Sequence, residues 1–221
     1  MTTSSAHIIT VDGSPSSGKK LFCLELAITL LYNEQKTAIL LPCDSPLRSI
    51  IQKRSSTNID LPTPDIINRE DFKNQTQNYD AIIIPGIAPI DELAPSSDTF
   101  ITLLTPKTIK KFEKDLTYIN KMWELKKKIA SEHKKSLNWV ILENNLKEKS
   151  TDTKSCELQN LSRMYGFRVA PPINKRNSYL STLNGISSQD KITSLLKKNL
   201  TYEDICAKRE ITKLAEFIFN Q

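Results

Sequence analysis

Apolar and polar positions along the chain fall into blocks that switch between strand-like and helix-like periods. The run Ala6–Val11 is short, apolar and partly β-branched, and it stops at a Gly-, Ser- and Pro-rich stretch. That pattern predicts a strand ending in a turn. Leu21–Tyr32 follows as a helix too apolar to lie at a surface. Strands are expected at Thr37–Cys43, Thr63–Asn68, Tyr79–Pro85, Asp98–Thr105, Leu137–Asn144 and Gly166–Pro172. Between them the pattern predicts helices at LRSIIQKR, after the Pro- and Asp-marked turn, and at Glu157–Tyr165, with a closing helix at Tyr202–Phe219. Across Thr108–Lys135, apolar residues recur at Ile109, Phe112, Leu116, Ile119 and Trp123. Spacings of three and four predict one long amphipathic helix with its lysines off the stripe. Residues 147–154 read as a polar loop.

Strands apolar on both faces, alternating with helices, call for an α/β fold. Its mostly parallel sheet is covered on both sides, so the expectation is three layers. Such sheets bind ligands at the carboxyl ends of their strands. The 221 residues show no internal repeat and no linker, so residues 1–221 are expected to form a single domain. A hydrophobic fraction of 38% with 25% charged residues excludes a membrane-embedded chain and wholesale disorder. The longest apolar stretch contains Glu25 and is too short to span a bilayer, so no transmembrane segment is expected. No basic export leader precedes the first strand. Cys23, Cys43, Cys156 and Cys206 form no CxxC pair, which points to reduced thiols in a cytoplasmic protein rather than a disulfide framework or zinc site.

Charge is unevenly spread. Residues 1–106 carry 8 Lys+Arg against 12 Asp+Glu, residues 107–135 carry 10 lysines against 4 acids, and residues 136–221 carry 13 basic against 9 acidic. The middle segment alone matches the net charge of +6 and predicts a local basic surface. Lys110, Lys111, Lys114, Lys126, Lys127 and Lys128 are the candidate DNA-binding residues there. Lysine clusters neutralise phosphates without reading sequence; the same cluster also suits anionic lipid or plain solvation. Arg163, Arg168, Lys175 and Arg176 make a second candidate patch. Trp123 and Trp139 sit in apolar patterns that favour packing over stacking on a ligand.

The candidate chemistry lies in Gly13-Ser14-Pro15-Ser16-Ser17-Gly18-Lys19-Lys20, between the first strand and the first helix. A G-x-x-x-x-G-K pattern there is a candidate P-loop. Its backbone amides and the helix N-terminus can cradle phosphate, and Lys19 can reach the terminal phosphates. With ILLPCDSPLRS (Ile39–Ser49), NYDAIIIPG before residue 87, NWVILENNL (Asn138–Leu146) and YGFRVAPPINKR (Tyr165–Arg176), the chain resembles the ParA/MinD family of deviant Walker-A ATPases, above all its MipZ branch of division-site positioning proteins.

The resemblance implies a three-layer P-loop NTPase fold, ATP or ADP as ligand, and an ATP-bound homodimer. It also implies binding to nonspecific DNA or membrane, a division or partition protein as partner, and a role in spatial organisation. It places nucleotide contacts on Gly13 to Leu21, a switch I aspartate at Asp44, an adenine-edge asparagine at Asn144 and an adenine-side loop at Pro171. The departures are as specific. The Mg²⁺-ligating Ser/Thr is Lys20, the lysine that crosses the dimer is Ser14, and the Walker-B aspartate is Pro85. The first switch I acid is Pro42 and the switch II glycine is Ala88. Mg²⁺ wants hard oxygen ligands, and phosphoryl transfer here depends on positioning and charge neutralisation, so Mg²⁺ is doubtful and hydrolysis is expected to be impaired or lost. The sequence offers no metal site, although Asp80 or the pair Asp91 and Glu92 are possible rescued ligands. Two alternatives stand beside this reading: a working ATPase with relocated metal ligands, and a nucleotide-independent DNA-binding or adaptor protein.

Overall fold

A computed structural model describes residues 5–56, 60–86, 94–114, 116–146, 156–192 and 200–219. Strand β1 (His7–Gly13) leads into helix α1 (Lys19–Tyr32), then β2 (Thr37–Leu40), α2 (Pro46–Ser55), β3 (Asp65–Ile67), the short α3 (Phe72–Gln75) and β4 (Ala81–Pro85). The second half runs β5 (Thr99–Leu104), α4 (Pro106–Lys114), α5 (Leu116–His133), β6 (Asn138–Leu146) and α6 (Cys156–Tyr165). It closes with β7 (Arg168–Val169), β8 (Ile173–Asn174), a 3₁₀ segment (Asn177–Asn184) and α7 (Tyr202–Phe219).

All described strands are parallel, in the order β3-β2-β4-β1-β5-β6-β7, and β8 continues along β6 beyond β7. Side chains alternate across a strand, so each strand feeds both faces. Ile9, Val11, Ile39, Ile83, Ile101, Leu103, Val140 and Leu142 pack on one face with α1, α2 and α7. On the other face, Phe100, Trp139 and Ile141 pack with α4, α5 and α6, and Ala38, Leu40, Ile82 and Ile84 lie beside Phe72. The expected three-layer α/β arrangement is what forms. Helix α1 is buried from Phe22 to Leu30 on every side, because the sheet lies below it and α7 and the 3₁₀ segment cover it.

Several expected elements differ. Helix over the expected span Thr108–Lys135 is described as α4 and α5, on either side of residue 115, which lies outside the described residues. The buried positions are Phe112 on α4 and Ile119, Met122, Leu125 and Ile129 on α5. Leu116 is instead 38% exposed. The strand expected at Gly166–Pro172 is two short strands that meet β6 in succession, with the two prolines between them. Proline has no amide for a ladder bond, which breaks the strand there. The polar loop at 147–154, Ala88, and Asp91 with Glu92 lie outside the described residues.

Candidate nucleotide site

The loop after β1 has a backbone that only certain residues tolerate. A Cβ on Gly13 would stand 2.7 Å from the Leu103 carbonyl oxygen, so the close approach of β1 to β5 requires glycine there. Ser16 and Gly18 have φ of 65° and 83°. Left-handed residues within a turn aim successive amides at one point and form an anion-binding concavity. Ser17 N–H donates to the Ser14 carbonyl at 3.1 Å and closes that turn.

Helix α1 begins at once, and its start contradicts ordinary helix design. No side chain caps it and no acid lies in its first turn, while Lys19 and Lys20 occupy its first two positions. Cations at the positive end of a helix are unfavourable. Unpaired first-turn amides with two lysines make sense as an anion site. Lys19 is folded back over the loop: its Nζ donates to the Gly13 carbonyl at 2.5 Å and lies 3.9 Å from Asp12 Oδ1. Lys20 is exposed. The Ser17 hydroxyl is buried beneath the loop with no hydrogen-bond partner. Ser14 is half-buried and Pro15 exposed.

Asn144, on β6, reaches the loop from behind. Its Nδ2 donates to the Ser17 carbonyl at 2.7 Å, and a Cβ on Gly18 would come within 3.0 Å of that nitrogen. Beside Gly18 and Leu21 opens a cleft of about 270 Å³ whose walls include Phe22, Asn144, Ile173 and Lys175. Pro171 is half-buried just upstream of that wall and is not part of it. Arg176 also lines the cleft but is no free cation: its guanidinium holds Glu210 Oε1 at 2.6 Å. Glu210 also accepts from Asn174 at 2.7 Å and Tyr179 at 3.2 Å. Ile173 and Asn177 as cleft residues escape a reading based on motif spacing, although Ile173 falls inside the family-like segment.

Asp44 is exposed in the turn between β2 and α2. Arg48 ties that turn down, donating to the Leu41 and Pro42 carbonyls at 2.8 Å each and to Asn68 Oδ1 at 2.5 Å. Pro85 is buried at the end of β4. Asp80 lies at the opposite, amino end of that strand, where its Oδ2 accepts from Lys36 N–H at 2.8 Å; it shapes a turn far from the loop. Among the described residues no three His, Cys, Asp or Glu side chains converge as a metal site. At the two positions where the resemblance would place metal-holding side chains stand Lys20 and Pro85, neither of which carries a side-chain oxygen. Two groups at the loop carry no motif signal: Asp12, and Tyr118, whose hydroxyl donates to Asp12 Oδ2 at 3.1 Å.

The lysines of the basic segment divide sharply. Lys126 donates to the Gly166 carbonyl at 2.6 Å, and its burial holds the ammonium below the ordinary lysine value. Lys127 lies over the Trp123 ring at 3.0 Å and pairs with Glu124, and Lys128 reaches Glu132 at 4.0 Å. Lys135 pairs with Asp98 at 2.7 Å. Lys107, Lys110, Lys111 and Lys114 on α4 are exposed, and no ion pair involves them among the described residues. In the second patch, Arg168 stacks over Phe217 at 4.0 Å and donates to its carbonyl. Trp139 is fully buried, as its apolar setting predicts.

A family model described as ATPase MipZ matches residues 87–218, more than half of the chain. No match is found among curated proteins. In fold the chain is similar to the MinD cell division protein of Aquifex aeolicus, with a TM-score of 0.61 at 14% identity over 98% of each chain. It is also similar to the septum site-determining protein MinD of Pyrococcus horikoshii complexed with Mg-ADP, with a TM-score of 0.60 at 13% identity over 97% of this chain and 96% of that one. A Cyanothece McdA–ATP complex gives a TM-score of 0.55 at 13% identity, over 94% of this chain and 97% of that one. No described helix is long and apolar enough to cross a membrane.

Proposed function

Since the chain belongs to the MipZ ATPase family, we propose that it is a nucleotide-binding spatial regulator of cell division or chromosome segregation whose Mg²⁺-dependent hydrolysis is impaired or lost. The observation that carries this reading is the start of α1: uncapped amides, no acid, two lysines, and a left-handed turn feeding into them. The amides of Ser16, Gly18, Lys19 and Lys20 and the Lys19 ammonium would hold phosphates, since Pro15 has no N–H and that of Ser17 is given to Ser14, and Leu21, Phe22 and Ile173 offer apolar walls for a base. Asn144 supports the loop from below rather than standing apart from it. A bound nucleotide supplies a terminal phosphate whose presence or loss distinguishes two states of the protein. In the fold neighbours, one MinD was solved with Mg-ADP and McdA with ATP, which supports the same loop as the ligand site here.

Hydrolysis is another matter. Removing one charge-stabilising group from such a site commonly costs about 3–4 kcal/mol of barrier stabilisation, and Lys20, Pro85 and Ser14 replace three groups that the family resemblance calls for. Asp44 is exposed and free to orient water, yet it lacks the metal partners on either side. The protein acts as one cytoplasmic domain, as a homodimer in its nucleotide-bound state, with a division or partition protein as its partner. Calorimetric titration with ADP and ATP tests binding, and phosphate release in Mg²⁺ tests turnover. Saturable binding with release at background is the expected pair. Absence of binding removes the reading, whereas brisk release removes only its second half. The exposed α4 lysines favour a second reading, a nucleotide-independent DNA-binding or adaptor protein, since they remain available whatever the loop holds.

A further inference from the structure

The carboxyl ends of β1 and β4 meet beside the phosphate loop, and a carboxylate stands between them. The two strands pair in parallel with Val11 opposite Pro85, so the next residues outward are Asp12 and Gly86. Gly86 N–H donates to the Val11 carbonyl at 2.6 Å. A Cβ on Gly86 would lie 3.3 Å from Asp12 Oδ1 and 3.4 Å from Asp12 Cα. The Asp12 carboxylate therefore fills the space just past the end of β4, where Pro85 offers no side-chain oxygen.

Its orientation is set by a one-way chain of hydrogen bonds. The Trp139 indole can only donate, and its Nε1 does so to Thr102 Oγ1 at 3.0 Å. Thr102 Oγ1 lies 3.0 Å from the Tyr118 hydroxyl, which in turn donates to Asp12 Oδ2 at 3.1 Å. Tyr118 has one proton and gives it to Asp12, so Thr102 must give its own to Tyr118. Every donor in the chain points toward Asp12, so Oδ2 is held as an acceptor. Oδ1 is left for the loop side. Its nearest cation, Lys19 at 3.9 Å, is beyond hydrogen-bond distance and spends its short bond on Gly13. The Asp12 side chain is 26% exposed, so it is open to a ligand, and the exposed Lys20 is not packed into the space.

Resting on the reading that the loop binds nucleotide, we propose that Asp12 is a relocated cation ligand. With a nucleoside di- or triphosphate in the loop, Asp12 Oδ1 and phosphate oxygens together hold one hard divalent cation, with Tyr118 as the positioning residue. Mg²⁺ keeps several waters and commonly takes only one or two carboxylates plus substrate phosphates. A single protein carboxylate thus serves only when phosphates are present, in keeping with the absence of a converging metal cluster among the described residues. The competing role is that of a counter-ion for Lys19. The two roles have opposite signs, because a carboxylate with no cation repels polyphosphate.

The test uses the full chain. ADP binding is measured by calorimetry in Mg²⁺ and in EDTA, and Mn²⁺ immobilisation is followed by electron paramagnetic resonance with and without ADP. The wild type is expected to bind ADP more tightly in Mg²⁺ and to immobilise Mn²⁺ only with ADP present. In Asp12→Asn the two ADP affinities should become equal, and Tyr118→Phe should weaken Mn²⁺ binding by about tenfold. ADP affinity in the wild type that ignores the cation overturns the proposal and leaves nucleotide binding intact. Tighter ADP binding by Asp12→Asn in both buffers overturns it in favour of the counter-ion. No ADP binding in either buffer removes the nucleotide reading and this proposal with it.

Discussion

Gly18 joins the loop to the helix, and at φ 83° with Asn144 Nδ2 only 3.0 Å from any added Cβ it has no tolerable substitute. Gly18→Ala should cost about 1–2 kcal/mol from the left-handed backbone alone and also displace Asn144, weakening ADP binding, as denaturant melts and calorimetry would show. A second residue-scale case is the buried pair Arg54 and Asp190. Both side chains are 0% exposed, and their Nη1–Oδ2 distance is 2.5 Å. Burial alone would raise the Asp190 carboxyl, but Arg54, Tyr32 and Ser187 outweigh it and hold it below the ordinary aspartate value. A depressed acid contributes stability that is complete above its unfolded value, about 3.9, and that is lost as pH falls through the folded one. Asp190→Asn leaves Arg54 buried without its counter-charge and should cost about 3–5 kcal/mol. Glu25 behaves oppositely. It is 1% exposed and accepts from Thr182, from Ser188 N–H at 3.1 Å and from the Ser188 hydroxyl at 2.6 Å. Burial pushes its carboxyl up, with the Asp190 charge adding to it. The native state then holds its proton longer than the unfolded chain does, so stability falls as pH rises above about 4.3. Glu25→Gln should flatten that decline in melts taken across a pH series starting just above the unfolded value.

At the scale of elements, α1 is the hinge between core and site. Leu24, Leu26 and Ile28 are 0% exposed, so Leu24→Ala should cost about 2–5 kcal/mol, measurable as a lower urea midpoint with an unchanged slope. Such a helix was legible because its apolar run is unbroken, and the strands were legible because a parallel sheet buried on both faces writes continuous apolar runs. The exposure of Leu116 was not, since Ile109, Phe112, Leu116 and Ile119 satisfy one helical period, yet Leu116 is 38% exposed. The Asn177–Asn184 segment was equally hidden. It is held by pairings such as Thr182 to Glu25 and Asn177 to Glu203, which no local pattern encodes. The same limit applied to the site. The loop announced itself by glycine spacing, whereas Asp12 and Tyr118 are brought together only by the pairing of β1 with β5 and the placement of α5. Lys126 shows another such contact: read from the sequence as part of the basic surface, its ammonium also donates to the Gly166 carbonyl just after α6.

For the whole molecule, the order β3-β2-β4-β1-β5-β6-β7 puts the phosphate loop near the middle of the carboxyl edge, and α4 starts from that same edge directly after β5. Lys107, Lys110, Lys111 and Lys114 are spaced three and four apart and so share one helical face, close to the nucleotide loop along the edge. The apolar side of α4 is committed to the core through Phe112, 7% exposed, so this face has no hydrophobic wedge to push into a bilayer and acts through charge alone. Four lysines on one face, with no ion pair among the described residues, suit a phosphate backbone, whereas Lys126, Lys127 and Lys128 are already engaged. If the protein binds nonspecific DNA, reversing Lys110, Lys111 and Lys114 to glutamate should abolish retention and lower the salt slope by about 1 for each lysine lost. Reversing Lys127 and Lys128 should change retention little, because their charges are partly spent on Glu124, Glu132 and the Trp123 ring. Fluorescence anisotropy with a duplex across a salt series checks both sets. Equal losses from the two sets would mean that the basic surface acts as a diffuse field, and capture by anionic vesicles with no DNA retention would assign the α4 face to lipid headgroups.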